Sequence, residues 1–218
     1  MDKLKKILKL LISAYGDRTP ERRLEPVDEL VLTILSQNTS DINSRRAFKS
    51  LLDSFGGWDS VAHAPAARIA EAIRAGGLAE VKSGYIQGAL RFLKKEAGGY
   101  DLRFLKGLEL GAARAWLTRL PGVGMKTASC VLLFSLGMPA FPVDTHVLRV
   151  VGRLGLVGPK TTADAAHLEM ERLVPAEDTY RCHVLMIEHG RRTCRAQRPL
   201  FGNCIISSLC PSYNKFKA

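Results

Sequence analysis

The sequence predicts an all-α fold, and three observations support this prediction. Apolar residues recur with a helical period of about 3.6 along most of the 218-residue chain. No stretch sustains the alternation of apolar and polar residues that is typical of strands. Pairs of glycine and proline fall between the periodic segments, where turns would join helices.

The first predicted element is an amphipathic helix at the N-terminus. Its leucine and isoleucine residues and Tyr15 share one helical face, with lysines mostly on the other: Leu4, Ile7, Leu8, Leu11 and Tyr15 against Lys3, Lys5, Lys6 and Lys9. We expect this helix to pack onto a core. The interleaved lysines and the lack of a small-residue cleavage site argue against a signal peptide. No apolar run approaches the length of about 18 residues that a membrane span needs.

Nine further helices are predicted, in this order: 28–37, 41–54, 65–75, 79–96, 109–118, 125–137, 144–154, 162–172 and 177–189. Ser40 is placed to cap the second of them, since serine accepts hydrogen bonds from a helix N-terminus. Gly190 is predicted to end the last one as its C′ residue. We expect the cysteine-rich C-terminal segment to pack back on the rest, together with the first helix.

The charge of the chain indicates a polyanionic partner. The formal net charge is +11, and hydrophobic residues make up 46% of the chain, enough for a sizeable core. Residues 181–218 hold seven basic residues and one acid, Glu188, so six of the eleven charges lie there. A solvated basic tail is the alternative, but the segment is not low-complexity. The basic residues are Arg181, Arg191, Arg192, Arg195, Arg198, Lys215 and Lys217.

The five cysteines are predicted to be thiols or metal ligands. An odd count without an export signal favours a reducing compartment, so we expect a cytoplasmic protein without disulfides. The cysteines are Cys130, Cys182, Cys194, Cys204 and Cys210.

The segment "LPGVGMKTASCVLLF" (120–134) joins a glycine turn to an apolar helix. Gly122 and Gly124 permit a sharp turn and a close approach by another group, and the helix start can bind a phosphate. Many such connectors bind nothing. Lys126 lies in the first turn, where the helix dipole and apolar neighbours favour its neutral, nucleophilic form. The alternative is a surface lysine that contacts phosphate or nothing.

Asp144 follows 18 residues later in "FPVDTHVLRVVGRLG". Its simplest role is the N-cap of the next helix. An N-cap aspartate at a helix mouth stays ionised, so it could also orient an amine or stabilise a developing cation. Both roles remain open from the sequence.

These two segments together resemble the helix–hairpin–helix DNA glycosylase superfamily, and most closely endonuclease III. Three further segments also resemble that family: "ILSQNTSDINSRRAF" (34–48), "GGLAEVKSGYI" (76–86) and "HGRRTCRAQRPLFGNCIISSLC" (189–210). The resemblance covers nearly the whole chain. It implies a six-helix barrel with the hairpin over 26–138, a second helical domain from 1–25 and 139–218, and a DNA-binding cleft between them.

The resemblance implies a base-excision-repair enzyme that removes a damaged base and then cuts the strand. Lys126 would attack deoxyribose C1′, and Asp144 would help to deprotonate it and offset the cationic sugar. The implied substrates are oxidised or ring-saturated pyrimidines such as thymine glycol, in double-stranded DNA with damaged bases or abasic sites. We expect a monomer with no membrane partner. The alternatives are a monofunctional glycosylase for uracil, mismatched thymine or adenine, and a DNA-binding module without catalysis.

The resemblance also names residues for DNA contact. Leu78 and either Gln37 or Asn38 would fill the gap left by a flipped nucleotide; Asn38 falls where the family usually has glutamine, and ordinary packing is the alternative for Leu78. The remaining candidates would contact the DNA backbone: Gly122, Val123, Gly124, Thr127, His146, Arg191 and Arg192.

The C-terminal motif of the family is C-x6-C-x2-C-x5-C, which binds a [4Fe–4S] cluster. This chain keeps Cys194, Cys204 and Cys210 at that spacing but has Phe201 in the second position. Either three cysteines and another ligand hold a cluster, or the site has lost its metal and Phe201 fills part of the volume. Cys182 is too far along the chain to substitute without rearrangement.

Overall fold

The computed structural model describes residues 2–20 and 23–213. Over these residues the fold is all-α, as predicted, and no strand occurs. The residues form two compact units. The central unit is Arg23–Gly137, and the terminal unit combines the described residues before it with those from Met138 onward. No helix within the described part of the chain is long and apolar enough to cross a membrane.

Eleven α-helices lie within the described residues. They are α1 (Asp2–Tyr15), α2 (Pro26–Ser36), α3 (Asp41–Phe55), α4 (Trp58–His63), α5 (Ala66–Ala72), α6 (Ala79–Ala97), α7 (Leu110–Leu117), α8 (Met125–Cys130), α9 (Thr145–Arg153), α10 (Ala163–Leu173) and α11 (Thr179–Arg192).

The central unit is built around α2, which contacts α3, α6 and α8. Leu30, Ile34 and Leu35 of α2 are fully buried, as the apolar face of the helix predicts. Ser40 caps α3, because its hydroxyl accepts a hydrogen bond from the Asn43 amide at 3.3 Å. The predicted cap is therefore confirmed.

Several helix bounds in the central unit differ from the prediction. The segment predicted as one helix over 65–75 is α5 followed by a 3₁₀ turn at Arg74–Gly76. The short α4 and a 3₁₀ turn at Arg103–Gly107 were not predicted, because one or two turns hold too few apolar repeats to show a period. The predicted helix over 125–137 is α8 followed by a π-helical segment at Val131–Ser135.

The terminal unit has its own core, and α1 contributes to it. Leu4, Ile7, Leu8 and Leu11 pack in one cluster with apolar residues of α9, α10 and α11, and Ile206 from the cysteine-rich segment joins them. The N-terminal amphipathic helix and the return of the C-terminal segment onto it are therefore confirmed.

The prediction for Gly190 was wrong. The helix α11 continues to Arg192, with Thr193 as its cap, so Gly190 lies inside the helix. Its role is close packing, because a Cβ at this position would lie 3.0 Å from the His146 Cβ and 3.3 Å from the Val150 side chain. Glycine here lets α11 approach α9, and sequence alone does not separate this role from helix termination.

Candidate active site

The connection between α7 and α8 forms a tight hairpin in the central unit. Gly122 has a φ of 74°, in the left-handed region. A Cβ at Gly122 would lie 2.5 Å from the ring of Tyr85, so only glycine fits beside this tyrosine. The Val123 amide donates to the Leu120 carbonyl at 3.1 Å and closes the turn.

Lys126 is a half-buried residue in the first turn of α8. Gly124 precedes this helix in an extended conformation and supplies no side-chain cap, so the first amide groups of α8 depend on the backbone, solvent or a ligand. The helix then widens, since the Leu136 amide donates to the Val131 carbonyl at 3.2 Å across five residues. Such π-helical bulges are frequent at functional sites.

Gln37 connects the end of α2 to the hairpin. Its Nε2 donates to the Gly122 carbonyl at 3.0 Å and lies 3.5 Å from the Thr127 hydroxyl. The structure therefore brings together three of the predicted DNA-binding residues, Gln37, Gly122 and Thr127. Asn38, the next residue, is exposed at the tip of the loop.

Asn38 and Leu78 share a rare backbone conformation. Asn38 has a φ of 53° and Leu78 a φ of 50°, and Leu78 is 56% exposed at the start of α6. Left-handed backbone costs a non-glycine residue on the order of 1–3 kcal/mol and persists where the surrounding structure enforces it. A bulky residue such as leucine rarely adopts it. Asn38 and Leu78 fall in the two segments that the sequence predicts to enter DNA, and a third such residue, Arg198 with a φ of 48°, lies in the basic C-terminal segment.

Glu29 of α2 is an acidic neighbour of Lys126 that the sequence analysis missed. Burial raises the pKa of Glu29, while a hydrogen bond from the Thr33 hydroxyl at 3.1 Å and the charges of Lys126 and Arg45 act in the opposite direction. The spacing offers a signal that could have found it, because Glu29 and Thr33 lie four residues apart on one face of α2, and Gln37 follows after four more at the end of the helix.

Asp144 lies in the terminal unit and caps α9. Its Oδ1 accepts a hydrogen bond from the Val147 amide at 2.7 Å, and its side chain is half-buried. The N-cap role is therefore observed. It fixes the carboxylate at the mouth of the helix.

Arg149 organises the start of α9. The sequence analysis did not single out this residue. Its guanidinium contacts the Nδ1 of His146 at 3.1 Å, and it donates to the carbonyls of Gly190 at 2.9 Å and Cys194 at 2.7 Å. This residue therefore holds the predicted DNA contact His146 and the first cysteine of the C-terminal motif in one arrangement.

The three cysteines of the C-terminal motif line one small cavity. His189 and Phe201 line it as well. His189 is 1% exposed; its Nε2 lies 3.8 Å from the Cys204 sulfur, and its Nδ1 is hydrogen-bonded to the Tyr15 hydroxyl at 3.0 Å. The Arg153 guanidinium donates to the Cys194 sulfur at 3.3 Å. The cavity thus presents three thiols and one imidazole.

Burial shapes the chemistry of this cavity. It lowers the pKa of His189 to about 4, so the imidazole is neutral at physiological pH. It raises the pKa of Cys204, as do the nearby Cys194 and Cys210. Cys182 does not line the cavity; it is fully buried, and burial raises its pKa to about 12.

The donor atoms surround the cavity and do not meet at one point. In the part of the chain that the structure describes, no three His, Cys, Asp or Glu side chains are arranged to hold a single metal ion.

Residues 31–176 match the family model for HhH-GPD superfamily base excision DNA repair proteins. The chain belongs to this superfamily. The match begins in α2 and ends beyond α10, so it includes the hairpin, Lys126, Asp144 and both left-handed loop residues.

This chain covers different shares of the length of its HhH-GPD relatives. A protein from Arabidopsis thaliana is 40% identical over 76% of this chain, which spans little more than half, 56%, of that protein. Endonuclease III from Sulfolobus acidocaldarius is 33% identical over 84% of this chain and 81% of its own. Among solved structures, a trapped endonuclease III–DNA covalent intermediate has a TM-score of 0.85 at 27% identity, covering 100% of this chain and 98% of that one. The protein is an endonuclease III-like DNA glycosylase of base excision repair.

The basic segment of this glycosylase is partly neutralised. Arg191, Arg192, Arg195 and Arg198 are exposed, although Arg192 pairs with Glu188 at 3.0 Å. Arg181 lies near the acids Asp17 and Asp178, at 3.7 Å and 3.6 Å. Lys215 and Lys217 lie outside the described residues. The exposed arginines at the end of α11 and after it remain the candidates for phosphate contact in the described part of the segment.

Proposed function

We propose that this glycosylase is bifunctional: it removes oxidised or ring-saturated pyrimidines from double-stranded DNA and then cuts the strand by β-elimination. One observation carries the proposal. A lysine occupies the first turn after the glycine hairpin, in a chain whose fold matches an endonuclease III captured in a covalent complex with DNA.

Lys126 would be the nucleophile. Its neutral Nζ attacks deoxyribose C1′, and the bond between C1′ and the base breaks with its electron pair going to the base. The nitrogen loses a proton as the base gains one. The C1′–O4′ bond then opens with its electron pair going to O4′, which takes a proton from solvent, and a protonated Schiff base forms between Lys126 and the sugar.

Strand cleavage would follow from that Schiff base. The iminium group acidifies the C2′ proton, which passes to solvent while its electron pair forms a double bond between C2′ and C3′. The 3′ carbon–oxygen bond breaks, and the 3′ phosphate leaves with the electron pair. Hydrolysis of the imine releases the sugar and restores Lys126.

Asp144 would act through charge. A fixed carboxylate favours the cationic sugar that develops as the base leaves, and it can accept a proton from the lysine. The hydrogen bond from the Val147 amide at 2.7 Å keeps the carboxylate in place without a rearrangement at the moment of reaction.

Asn38 and Leu78 would enter the duplex when the damaged nucleotide flips out. Both lie at exposed loop tips, and a side chain in that place can stack on or hydrogen-bond to the orphan base. Gln37 is less suited to insertion, since its amide is engaged with the hairpin at Gly122. We therefore assign insertion to Asn38 and support of the hairpin to Gln37.

Phosphate contacts would come from both units. The hairpin offers backbone amides at Gly122 and Gly124 and the hydroxyl of Thr127, whereas the Val123 amide already donates to the Leu120 carbonyl and would support the turn. The terminal unit offers His146, Arg191 and Arg192, of which both arginines are exposed.

A [4Fe–4S] cluster would fit the cysteine cavity. Cys194, Cys204 and Cys210 would hold three of its irons, and the His189 Nε2 is a nitrogen donor facing the same cavity. Its other ring nitrogen bonds Tyr15, as is usual for a histidine that ligates a metal. Bound there, the cluster would cross-link the arginine-bearing segment.

Product analysis tests bifunctional against monofunctional activity. A duplex with one thymine glycol is incubated with the protein, and half of each sample is treated with hot alkali. We expect the same amount of cut strand with and without alkali. Strand breaks that appear only after alkali would indicate a monofunctional enzyme. The same assay is repeated on duplexes with uracil or a mismatched base, and failure to release a base from every one of these substrates would favour a DNA-binding module.

A further inference from the structure

Lys82 of α6 is a buried lysine that has no part in the chemistry described above. Its side chain is 1% exposed. Its Nζ donates to the Leu35 carbonyl at 2.7 Å and to the Gly76 carbonyl at 2.8 Å. Burial lowers the pKa of Lys82, since removing an ammonium group from water is costly. A buried lysine in a helix therefore needs a structural or functional reason.

The two acceptors belong to the two predicted DNA-inserting segments. Leu35 is in the last turn of α2, where carbonyls lack helical partners, and Asn38 follows three residues later. Gly76 ends a 3₁₀ turn, and Leu78 follows two residues later. One ammonium group thus bonds the backbone just before each left-handed residue.

The two segments also touch each other beside this lysine. A Cβ at Gly76 would lie 3.2 Å from the Ala47 Cβ and 3.8 Å from the Leu35 side chain. The backbone amide of Lys82 donates to the Leu78 carbonyl at 3.0 Å. Lys82 therefore contacts the Leu78 segment through both its backbone and its side chain, and the Asn38 segment through its side chain.

We propose that Lys82 is a positioning residue for DNA insertion: its ammonium group joins the Asn38 and Leu78 segments and fixes their spacing, so that both side chains enter the duplex together. This inference rests on the proposed function, because that proposal assigns both segments to insertion. It adds that insertion of Asn38 and insertion of Leu78 depend on each other.

The coupling predicts which step depends on Lys82. Phosphate contacts at the hairpin and the arginine segment do not involve it, so affinity for intact duplex stays. Recognition of an extrahelical site requires both loop tips, so that step weakens. The lyase reaction on single-stranded abasic DNA needs no orphan base to be filled, so it also stays.

Lys82→Met tests this, with Lys95→Met as a matched control that removes an exposed lysine from the same helix. Binding is measured to an intact duplex and to one with a tetrahydrofuran abasic analogue opposite 2-aminopurine. We expect Lys82→Met to reduce the preference for the abasic duplex by roughly tenfold, as unsatisfied buried carbonyls would, and to diminish the 2-aminopurine fluorescence change. Lys95→Met should alter neither.

A double-mutant cycle tests the coupling without changing Lys82. The substitutions Asn38→Ala and Leu78→Ala are made singly and together, and the preference for the abasic duplex is measured for each. If the segments are coupled, the factor by which the double variant loses its preference for the abasic duplex differs from the product of the factors for the two single variants. Independent, multiplicative losses would overturn the proposal even if Lys82→Met does not fold.

Borohydride trapping on single-stranded abasic DNA separates this proposal from the proposed function. If the wild type forms no adduct, the proposed chemistry is wrong. If the wild type forms an adduct and Lys82→Met retains both the abasic preference and the fluorescence change, the positioning role alone is wrong.

Discussion

Asp144 combines a helix cap with a proposed catalytic charge, and one substitution separates the two. An asparagine at this position would still cap α9, so Asp144→Asn should change the free energy of unfolding by less than about 1 kcal/mol. Loss of the charge should lower the single-turnover rate of base release by roughly 10²–10³-fold. Thermal melting and single-turnover assays measure the two effects. A variant with normal melting and normal turnover would leave Asp144 only its role as a cap.

Glu29 predicts a pH-dependent stability. Its pKa is raised in the folded state, mainly by burial, so the folded chain binds more protons than the unfolded chain between the ordinary and the raised pKa. Stability contributed by this residue therefore falls as the pH rises through that window, and the deficit persists above it.

Glu29→Gln should remove this deficit. We expect its melting temperature to exceed that of the wild type at pH 7 to 8, and the difference to shrink near pH 4, where the wild-type carboxyl is protonated. Glu80→Gln, at an exposed position of α6, is the control and should give no such trend. A difference that is equal at both pH values would contradict the role of burial.

At the residue scale, the sequence predicted side chains that lie in contiguous motifs. Lys126 and Asp144 are visible because a hairpin and a helix cap each have a local pattern. Glu29, His189 and Arg149 matter through contacts made between helices, and a single sequence does not show which helices meet. The left-handed conformation of Leu78 could not be predicted either, because leucine has no preference for it.

At the element scale, the cysteine segment departs from the four-cysteine motif of the family that the sequence resembles. Phe201 stands in the second ligand position, so a cluster would have three cysteine ligands and one iron that depends on another donor. Such an iron is readily oxidised and lost. We expect the anaerobically purified protein to be brown and to bleach in air within the time that a four-cysteine relative keeps its colour.

Phe201→Cys should restore the fourth thiolate. Iron content should rise toward four per chain and bleaching in air should slow, as measured by iron analysis and visible absorption. His189→Ala should accelerate bleaching in the wild-type background and not in Phe201→Cys. No iron in Phe201→Cys after anaerobic reconstitution would show that the cavity does not hold a cluster.

The sequence predicted the presence of helices more accurately than their first and last residues. Periodicity located α3, α6 and α9 because each has a long apolar stripe or a clear cap. The predicted end of α11 was residue 189, whereas the helix ends at Arg192. Gly190 was predicted to end the helix because glycine is common both at helix ends and where two helices pack closely. The change from α to π geometry at Val131 has no local pattern that separates it from an ordinary helix.

At the scale of the whole molecule, the net charge of +11 predicts salt-dependent DNA binding. Each neutralised phosphate adds about 0.9 to the slope of log K against log salt concentration. Replacing both Arg191 and Arg192 by alanine should reduce that slope by up to about 1.8 and weaken binding to damaged and intact duplexes alike. A slope near zero in the wild type would contradict a DNA partner.

The division of labour between units is partly predictable. The all-α class and the packing of the terminal segments follow from periodicity, and the structure confirms both. The predicted domain bounds of 26–138 and 1–25 with 139–218 came from resemblance; the compact units of the structure change at Arg23 and Met138. A monomeric state and a cytoplasmic location stay predictions.

The central claim is that Lys126 is the nucleophile. A duplex with one thymine glycol is incubated with the wild type and with Lys126→Ala in the presence of sodium borohydride, and covalent protein–DNA adduct is measured on a denaturing gel. Lys95→Met serves as the control for loss of a lysine. The account predicts adduct with the wild type and with the control, and none with Lys126→Ala, although that variant still binds and folds. Equal adduct with Lys126→Ala would contradict it.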